Sequence, residues 1–289
     1  MKINLSDIRT IGTGLQRPEG IMAADDGTLY TADMRGGCCR INTDGKTTFW
    51  GSLGGVPNGI CIDRSGNCIV ANIGLGEVQS LAADGSHRVL IREAGGRRIP
   101  APNFPFLDSK ERLWVSNSTS RADVESALGQ PAPDGSIVLL EKGVARIVAE
   151  EIFFANGVAL DRDESRLYVA ETMKRRILRY KIDDDGSLYE REVYGPDFLG
   201  KRGFPDGIAF DEDGNLWIAF PTWNAIGLLT PKQELVMVLE DPRGEILKQP
   251  SNICFGWEER KTAFIGCIDS TTIPCFKAPA AGLRLVHQQ

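Results

Sequence analysis

The stretch that decides the fold reads Pro205-Asp206-Gly207-Ile208-Ala209-Phe210, then the polar turn Asp211-Glu212-Asp213-Gly214, then Asn215-Leu216-Trp217-Ile218-Ala219. Two short apolar runs joined by an Asp- and Gly-rich turn are typical of an antiparallel hairpin. Five other segments can be laid over this one, and each carries a carboxylate or amide residue, here called the anchor, at its start. The six anchors are Glu19, Asn58, Asn103, Asn156, Asp206 and Asn252.

Successive anchors are 39 to 53 residues apart, and further short apolar runs follow most of the hairpins. A period in the forties with about four strands per period is typical of a β-propeller blade. The sequence therefore predicts an all-β fold, a six-bladed β-propeller with four antiparallel strands per blade, as a single domain over residues 1–289. A segment near the N-terminus, around Ile3 to Ile11, is expected to complete a blade built mostly from the C-terminus, since closure removes exposed sheet edges.

Composition excludes several classes of function. The chain of 289 residues has a net charge of −6, and its basic residues are scattered rather than clustered with aromatic residues, so no nucleic-acid partner is expected. No stretch approaches the roughly 20 apolar residues of a membrane span. The N-terminal residues lack an apolar signal core, so a cytoplasmic location is expected.

Cysteine and histidine usage narrows the chemistry further. Seven cysteines with no export signal predict buried free thiols rather than disulfides. The two histidines, His87 and His287, do not open an inner strand, which argues against a Ser-His-Asp triad or a His-ligated zinc site.

The anchors should form a ring, because the innermost strand of each blade runs along the central channel and its first residue lies at one end. Two carboxylates and four amides offer only oxygen donors, which suit a hard divalent cation such as Ca²⁺, with Mg²⁺ or Mn²⁺ as alternatives. The competing interpretation is that Asn-Gly and Asp-Gly are merely turn dipeptides that tolerate left-handed backbone.

The second strand of each hairpin returns to the same end of the channel. Its last residues include Asp33, Asn72, Asn117 and Glu171, which are expected to orient the ring side chains by hydrogen bonds. The longest connection at this end runs from Ser118 to Gly135, with a short helix predicted over 122–128. We expect it to serve as a lid or specificity element, with a disordered insertion as the alternative.

Two stretches resemble the senescence-marker-protein, gluconolactonase and luciferin-regenerating-enzyme family of six-bladed propellers. They are Ala155-Asn156-Gly157-Val158-Ala159-Leu160-Asp161 and Phe204-Pro205-Asp206-Gly207-Ile208-Ala209-Phe210-Asp211, and the likeness extends from about Arg17 almost to the C-terminus. The resemblance implies that Glu19, Asn156 and Asp206 are metal ligands and that Asn103 helps to bind metal or substrate. It also implies that Asp206 is the catalytic base.

The chain departs from the family pattern near the ring. Phe104 stands where a Pro-Asn-Asp motif has its acidic member, and Ala101 stands where the sugar-lactone branch has arginine. These changes favour a more apolar ligand than a polyhydroxy sugar. The residues predicted to bind substrate are Asn103, Asn58, Phe104, Asn117, Arg121 and Trp223.

The leading hypothesis is a metal-dependent hydrolase that opens a lactone or related carboxylic ester. One divalent ion, Ca²⁺ with Mg²⁺, Mn²⁺ or Zn²⁺ as alternatives, would polarise the carbonyl group while Asp206 activates water. Two alternatives stay open: a phosphotriester hydrolase on the same ring, and a metal- or ligand-binding propeller without turnover. A bond-forming enzyme like strictosidine synthase, which uses no metal, is a further alternative, but Asn156 and Asp206 in the ring argue against it. The expected partner is a small-molecule substrate, with no nucleic acid or membrane, and the oligomeric state is left open.

Overall fold

The computed structural model describes residues 2–288 and contains six four-stranded antiparallel sheets arranged in a ring, which confirms the six-bladed β-propeller. The strands of blades 1 to 3, after β1 (Arg9–Ile11), are β2 Ile21–Ala23, β3 Leu29–Asp33, β4 Gly37–Ile41, β5 Thr47–Trp50, β6 Pro57–Ile62, β7 Cys68–Asn72, β8 Glu77–Leu81, β9 His87–Ile91, a small extra hairpin of β10 Glu93–Ala94 and β11 Arg97–Arg98, β12 Pro102–Leu107, β13 Leu113–Asn117, β14 Gly135–Glu141 and β15 Val144–Ile152. Those of blades 4 to 6 are β16 Ala155–Leu160, β17 Arg166–Glu171, β18 Arg176–Ile182, β19 Leu188–Tyr194, β20 Ile208–Phe210, β21 Leu216–Phe220, β22 Ala225–Leu229, β23 Leu235–Glu240, β24 Pro250–Gly256, β25 Thr262–Cys267 and β26 Ile273–Lys277.

The ring is closed by the N-terminal segment, as predicted. Strand β1 forms the outer edge of the sixth sheet, where Arg9 pairs with Cys275 and Ile11 with Ile273. The preceding residues Leu5–Asp7 form a single 3-10 turn, so only the end of the expected segment is a strand. The sixth blade is therefore built from both ends of the chain.

Apolar side chains on the faces of adjacent sheets form the core, because a blade buries its two faces only against its neighbours. Trp217 of blade 5, for example, packs against Phe255 and Phe276 of blade 6. All seven cysteines are buried and free, as expected. Within residues 2–288, no helix has the length and apolar character that a bilayer span requires.

The long connection after β13 folds back on itself. It contains one α-helix, α1 (Val124–Gly129), whose N-cap Asp123 accepts hydrogen bonds from the backbone N–H groups of Glu125 and Ser126. The remaining helices are 3-10 turns at Leu5–Asp7, Thr172–Lys174, Pro221–Trp223, Glu258–Arg260 and Val286–Gln288. The predicted short helix is thus present, beginning two residues later than expected.

The two ends of the central channel differ in chemistry. The anchor end, here called the mouth, is polar. The other end is lined by apolar side chains, including Phe106, Phe210 and Leu283. The C-terminal segment covers this end, since Leu283 donates its N–H to the Phe210 carbonyl and the Gln288 side chain donates to the Ala23 carbonyl.

Candidate active site

All six anchors lie at the mouth and are buried, with relative exposures between 1% and 7%. Strand register fixes this placement: in blade 4, for example, Ala155 at the start of the inner strand pairs with Glu171 at the end of the second strand. Each inner strand contacts the next one around the ring. The in-register anchors are therefore brought together, as the repeat predicts.

The glycines that follow the anchors are required by close packing of the inner strands, not by turns. Neither Gly59 nor Gly157 has a positive φ. A Cβ on Gly59 would lie 2.4 Å from the Asn103 carbonyl oxygen, and one on Gly157 would lie 2.4 Å from that of Asp206. Each glycine thus lets the next anchor's backbone approach the channel axis, and the turn interpretation of these dipeptides is wrong.

A hydrogen-bonded chain runs along one side of the ring. Arg17 Nη2 lies 2.5 Å from Glu19 Oε2, and Arg17 Nη1 donates to Asn58 Oδ1 at 3.1 Å. The Asn58 amide donates to Asn103 Oδ1 at 3.0 Å, and the Asn103 amide donates to Ser118 Oγ at 3.0 Å. These contacts fix the amide orientations on this side and bring one positive charge to the ring.

The opposite side of the ring carries the second carboxyl group. Burial raises the pKa of Asp206 well above its ordinary value, and the neighbouring Glu19 charge raises it further. The Arg17 charge and a hydrogen bond with Asn156 act in the other direction, lowering the pKa. Two carboxyl groups in a buried site disfavour double ionisation unless a cation accompanies them.

The surroundings of two buried oxygen atoms indicate whether a divalent cation fits this ring. Asn156 Oδ1 has no hydrogen-bond partner, and Glu19 Oε2 has none of normal geometry, although Arg17 lies within ion-pair distance of it. No group of three His, Cys, Asp or Glu side chains gathers as a metal cluster within residues 2–288. A cation would therefore use two carboxylates together with amide oxygens, a donor set that suits Ca²⁺ or Mg²⁺.

The residues that end the second strands hold the anchors through the backbone. Asp33 accepts from the N–H of Gln16, and Glu171 accepts from that of Phe153. In each case the donor lies three residues before the anchor of the same blade. The interactions described for these two residues do not include the expected direct hydrogen bonds to ring side chains. Their carboxylate oxygens instead accept from backbone N–H groups before the anchors and pair with Arg35 and Arg176.

The other residues predicted to bind substrate lie in different surroundings. Both ends of the Asn117 amide are engaged within the protein, accepting from Ala101 N–H and donating to the Thr119 carbonyl. Phe104 is buried in the apolar channel below the ring. Their assignment to substrate binding stays a prediction.

Arg121 and Trp223 lie on loops at the mouth. Arg121 forms an ion pair with Asp134 at 3.2 Å and so closes the long connection of blade 3. Trp223 ends the 3-10 turn that follows β21, and its indole N–H is buried without a partner.

Sequence reasoning missed Arg17 and Ser118. Arg17 has a positive φ of 52°, and the Glu19 N–H donates to its carbonyl at 2.8 Å, so the chain turns tightly just before the anchor. Ser118 is buried and links the Asn103 amide to the Ala155 carbonyl of the next blade. Ser118 immediately follows β13, and Arg17 lies two residues before the anchor Glu19, but no motif distinguishes either residue.

Residues 17–268 match the profile of the family described as SMP-30/Gluconolactonase/LRE-like region. Similar curated proteins include STRICTOSIDINE SYNTHASE-LIKE 6 of Arabidopsis thaliana, 29% identical over 75% of this chain and 60% of the relative. A gluconolactonase of Zymomonas mobilis is 26% identical over 72% of this chain and 60% of its own length.

A diisopropyl-fluorophosphatase of Loligo vulgaris is 29% identical over 57% of this chain and 55% of that protein. The chain thus spans about 60% of the length of the first curated relatives it matches. Among solved structures, a putative gluconolactonase superposes with a TM-score of 0.80 at 20% identity, covering 96% of this chain and 94% of that one. At that identity the likeness concerns the fold.

Proposed function

This chain belongs to the SMP-30/gluconolactonase/LRE-like family, and from that premise we propose that it is a metal-dependent hydrolase opening a lactone or related carboxylic ester. The observation that carries the proposal is a pair of buried oxygens beside the Asp206 carboxyl group. Asn156 Oδ1 has no hydrogen-bond partner, and Glu19 Oε2 is held by the Arg17 ion pair alone among the described contacts. Relatives with ester-hydrolysing names, including the gluconolactonase of Zymomonas mobilis, support the same reaction class.

Glu19, Asn156 and Asp206 would hold one divalent cation, with Asn103 as a ligand or close neighbour. The cation, when bound, would offset negative charge that develops on the substrate's carbonyl oxygen. A neighbouring positive charge also favours the ionised form of Asp206, which is the form that accepts a proton.

Asp206 is then the proton acceptor of the reaction. It takes a proton from the attacking water as the water oxygen bonds to the carbonyl carbon. The ester C–O bond breaks, and the same proton returns to the departing alkoxide. Asn58 and Asn103, held by Arg17 and Ser118, offer oriented amide groups for the substrate.

The surroundings of the mouth favour a substrate with an apolar part. Four of the large exposed apolar side chains lie on connections at this end of the blades: Met34, Leu75, Leu128 and Phe198, with exposures between 40% and 51%. Binding sites for small molecules are lined mostly by apolar side chains with a few polar groups that fix orientation. A lactone or ester with an apolar substituent fits this rim better than a polyhydroxy sugar.

A phosphotriester is the second candidate substrate class, favoured by the relative named diisopropyl-fluorophosphatase. The same ring residues would serve, because a phosphoryl oxygen can take the position of the carbonyl oxygen. Both classes belong in one assay panel.

The test begins with metal analysis of the purified protein, followed by lactones, aryl esters and a phosphotriester in a pH-indicator assay. Glu19→Gln and Asn156→Ala should reduce metal occupancy at low metal concentration, whereas Asp213→Asn, on an exposed turn at the opposite end, should not. Asp206→Asn should bind the cation and lose about a hundred-fold to ten-thousand-fold in rate. Near wild-type turnover by Asp206→Asn with metal bound would overturn the mechanism and favour a binding protein.

A further inference from the structure

Four basic residues lie on two neighbouring segments of the mouth face near blades 4 and 5. They are Lys174 and Arg175, at the end of the 3-10 turn after β17, and Lys201 and Arg202, on the connection that leads into blade 5. The Lys174 ammonium group itself lies 4.1 Å from the ring centre of Phe153, on the connection into blade 4. None of the four forms an ion pair within residues 2–288. Arg176 and Arg191, by contrast, both pair with Glu171. In a chain of net charge −6, this group, here called the basic patch, brings four positive charges to one face, against the exposed Asp197 on the connection into blade 5.

The basic patch adjoins the ring. Thr172, which begins the same 3-10 turn, donates its hydroxyl to the carbonyl of Pro205 at 2.8 Å. Pro205 is the residue before Asp206. The Leu199 N–H donates to the Arg175 carbonyl at 2.8 Å, which ties the two basic segments to each other. Within the patch, Arg175 stacks on Phe204, which is two residues before Asp206, so the patch adjoins the segment that carries the proposed catalytic carboxyl group.

Aromatic rings hold the two guanidinium groups. The Arg175 guanidinium lies 4.1 Å from the ring centre of Phe204, and the Arg202 guanidinium lies 5.4 Å from that of Trp223. Such contacts use the flat face of the guanidinium group and stabilise it by about 0.5–2 kcal/mol. The N–H groups on its edge are left for an acceptor, and their fork geometry matches carboxylate and phosphate oxygens.

Two buried hydrogen-bond donors in the same region have no acceptor: Arg175 Nε and the indole Nε1 of Trp223. A buried donor without a partner costs about 1–3 kcal/mol. Both atoms are donors, so the partner that would satisfy them is an acceptor. Stacking alone explains the position of the guanidinium groups, but it leaves both of these donors unsatisfied.

We propose that the basic patch is a subsite for an anionic group, a carboxylate, sulfonate or phosphate, carried by the ligand that enters the mouth. The assignment of that ligand as a substrate rests on the function proposed above, but anion binding at the patch does not. Arg175, Arg202 and Trp223 supply the N–H donors, and the lysines supply further positive charge. The hydrolysable bond would then lie at the ring and the anionic group between blades 4 and 5.

The probes are inorganic phosphate and methanesulfonate, titrated at constant ionic strength into the wild-type protein without substrate or metal. Trp223 stacks on Arg202 of the patch, so its fluorescence should change in a saturable way. Trp223→Phe should lose this signal and, without the indole N–H, bind the anion more weakly in calorimetry. Arg202 is exposed, so Arg202→Gln should fold normally and weaken binding by about tenfold or more, as expected for a charge-assisted hydrogen bond. Lys232→Gln, on an exposed turn at the opposite end, is the matched control and should bind like the wild type.

Absence of saturable binding, or an equal loss in Arg202→Gln and Lys232→Gln, would overturn the subsite. For the link to catalysis, two esters that differ only in a remote carboxylate are compared. Arg202→Gln should raise KM for the charged ester about tenfold and leave the neutral one unchanged. Anion binding without hydrolysis of any panel member would contradict the proposed hydrolase and support the anion subsite. Hydrolysis with no preference for the charged ester and no anion binding would contradict the subsite and support the hydrolase.

Discussion

Arg17 is the side chain at the ring whose role is least expected from its position in the sequence. Its guanidinium group contacts Glu19 and Asn58, so it places a positive charge where a divalent cation would draw on the same carboxylate. The side chain is 25% exposed, which leaves it room to move away from the ring. Arg17 and a metal ion are therefore expected to compete for Glu19.

Replacing Arg17 tests this competition. Arg17→Met should bind Ca²⁺ more tightly, by about tenfold for the loss of one partly exposed charge interaction. Calorimetric titration of the metal-free protein measures the change. Arg35→Met is the control, because Arg35 lies at the same face but pairs with Asp33 instead. Weaker Ca²⁺ binding by Arg17→Met would mean that Arg17 supports the site rather than competing with the ion.

The buried carboxyl group of Asp206 should make stability depend on pH in the metal-free protein. Its pKa is raised in the folded state, mainly by burial, so the unfolded chain loses this proton first as pH rises. The free energy of unfolding should therefore fall from about pH 4, the ordinary value for aspartate, up to the raised folded value. Asp206→Asn removes this decline.

Thermal unfolding at pH 4 and pH 7 with a chelator present measures the effect. Asp206→Asn should be more stable than the wild type at pH 7 and similar to it at pH 4. Saturating Ca²⁺ should stabilise the wild type and reduce the difference. A variant that is less stable than the wild type at pH 7 without metal would contradict the assignment of Asp206 as a buried acid whose pKa is raised by folding.

At this scale the sequence predicts which anchors meet, but not what each side chain does after they meet. Glu19, Asn156 and Asp206 converge because they stand in the same register of their repeats. Asn252 stands in the same register and, like Asn156, is an asparagine. Its amide oxygen nevertheless accepts a hydrogen bond from the adjacent Ile253 N–H and is therefore engaged by the backbone. The contact of Arg17 depends on a positive φ, for which arginine gives no sequence signal.

Within a blade, the inner hairpin is held at the end away from the mouth by an aspartate in its turn. Asp211 accepts from the backbone N–H groups of Asp213 and Asn215, and its second oxygen accepts from the Trp217 indole N–H at 2.8 Å. Asp108 and Trp114 repeat the arrangement in blade 3 at 3.0 Å. The Asp-rich turn that predicts a hairpin thus also fixes the tryptophan of the following strand.

Removing this aspartate should destabilise the hairpin. Asp211→Ala leaves the buried Trp217 indole without an acceptor and two turn N–H groups unpaired, at a cost on the order of 2–4 kcal/mol. Chemical denaturation of the variant measures the loss. Asp213→Ala, in the same turn but exposed, should change stability by less than about 0.5 kcal/mol. Equal effects of the two variants would contradict the role given to Asp211.

The pattern of short apolar runs predicts the hairpins well, since each of the six appears as two paired strands. It predicts their first residues less well. Asn156 lies within β16, whereas Glu19 and Asp206 precede β2 and β20. The difference lies in strand pairing: in blade 4 the pair Ala155–Glu171 continues the strand past a shift in register, whereas pairing in blades 1 and 5 starts at Ile21 and Ile208.

At the scale of the whole molecule, the count of six repeats predicts a closed ring and therefore a chain segment that closes it. This segment is β1, a strand of only three residues that pairs with the edge of β26. A second contact lies next to it, where the Leu15 N–H donates to the Thr271 carbonyl at 3.2 Å. The repeat alone does not reveal which residues of the N-terminal segment form the strand, because no side-chain alternation distinguishes Arg9–Ile11 from the residues before them.

Removal of residues 2–12 should open this closure. The edge of β26 would lose its partner and become available for pairing with another copy of the chain. We expect a lower and broader thermal transition, and dimers or larger species in size-exclusion chromatography at concentrations where the full chain is homogeneous. A synthetic peptide of residues 5–13, added in excess, should restore the transition by occupying the vacated edge, whereas a scrambled peptide should not. If the truncated protein melts like the full chain and the peptide has no effect, the ring is held by contacts between blades and β1 contributes little to its closure.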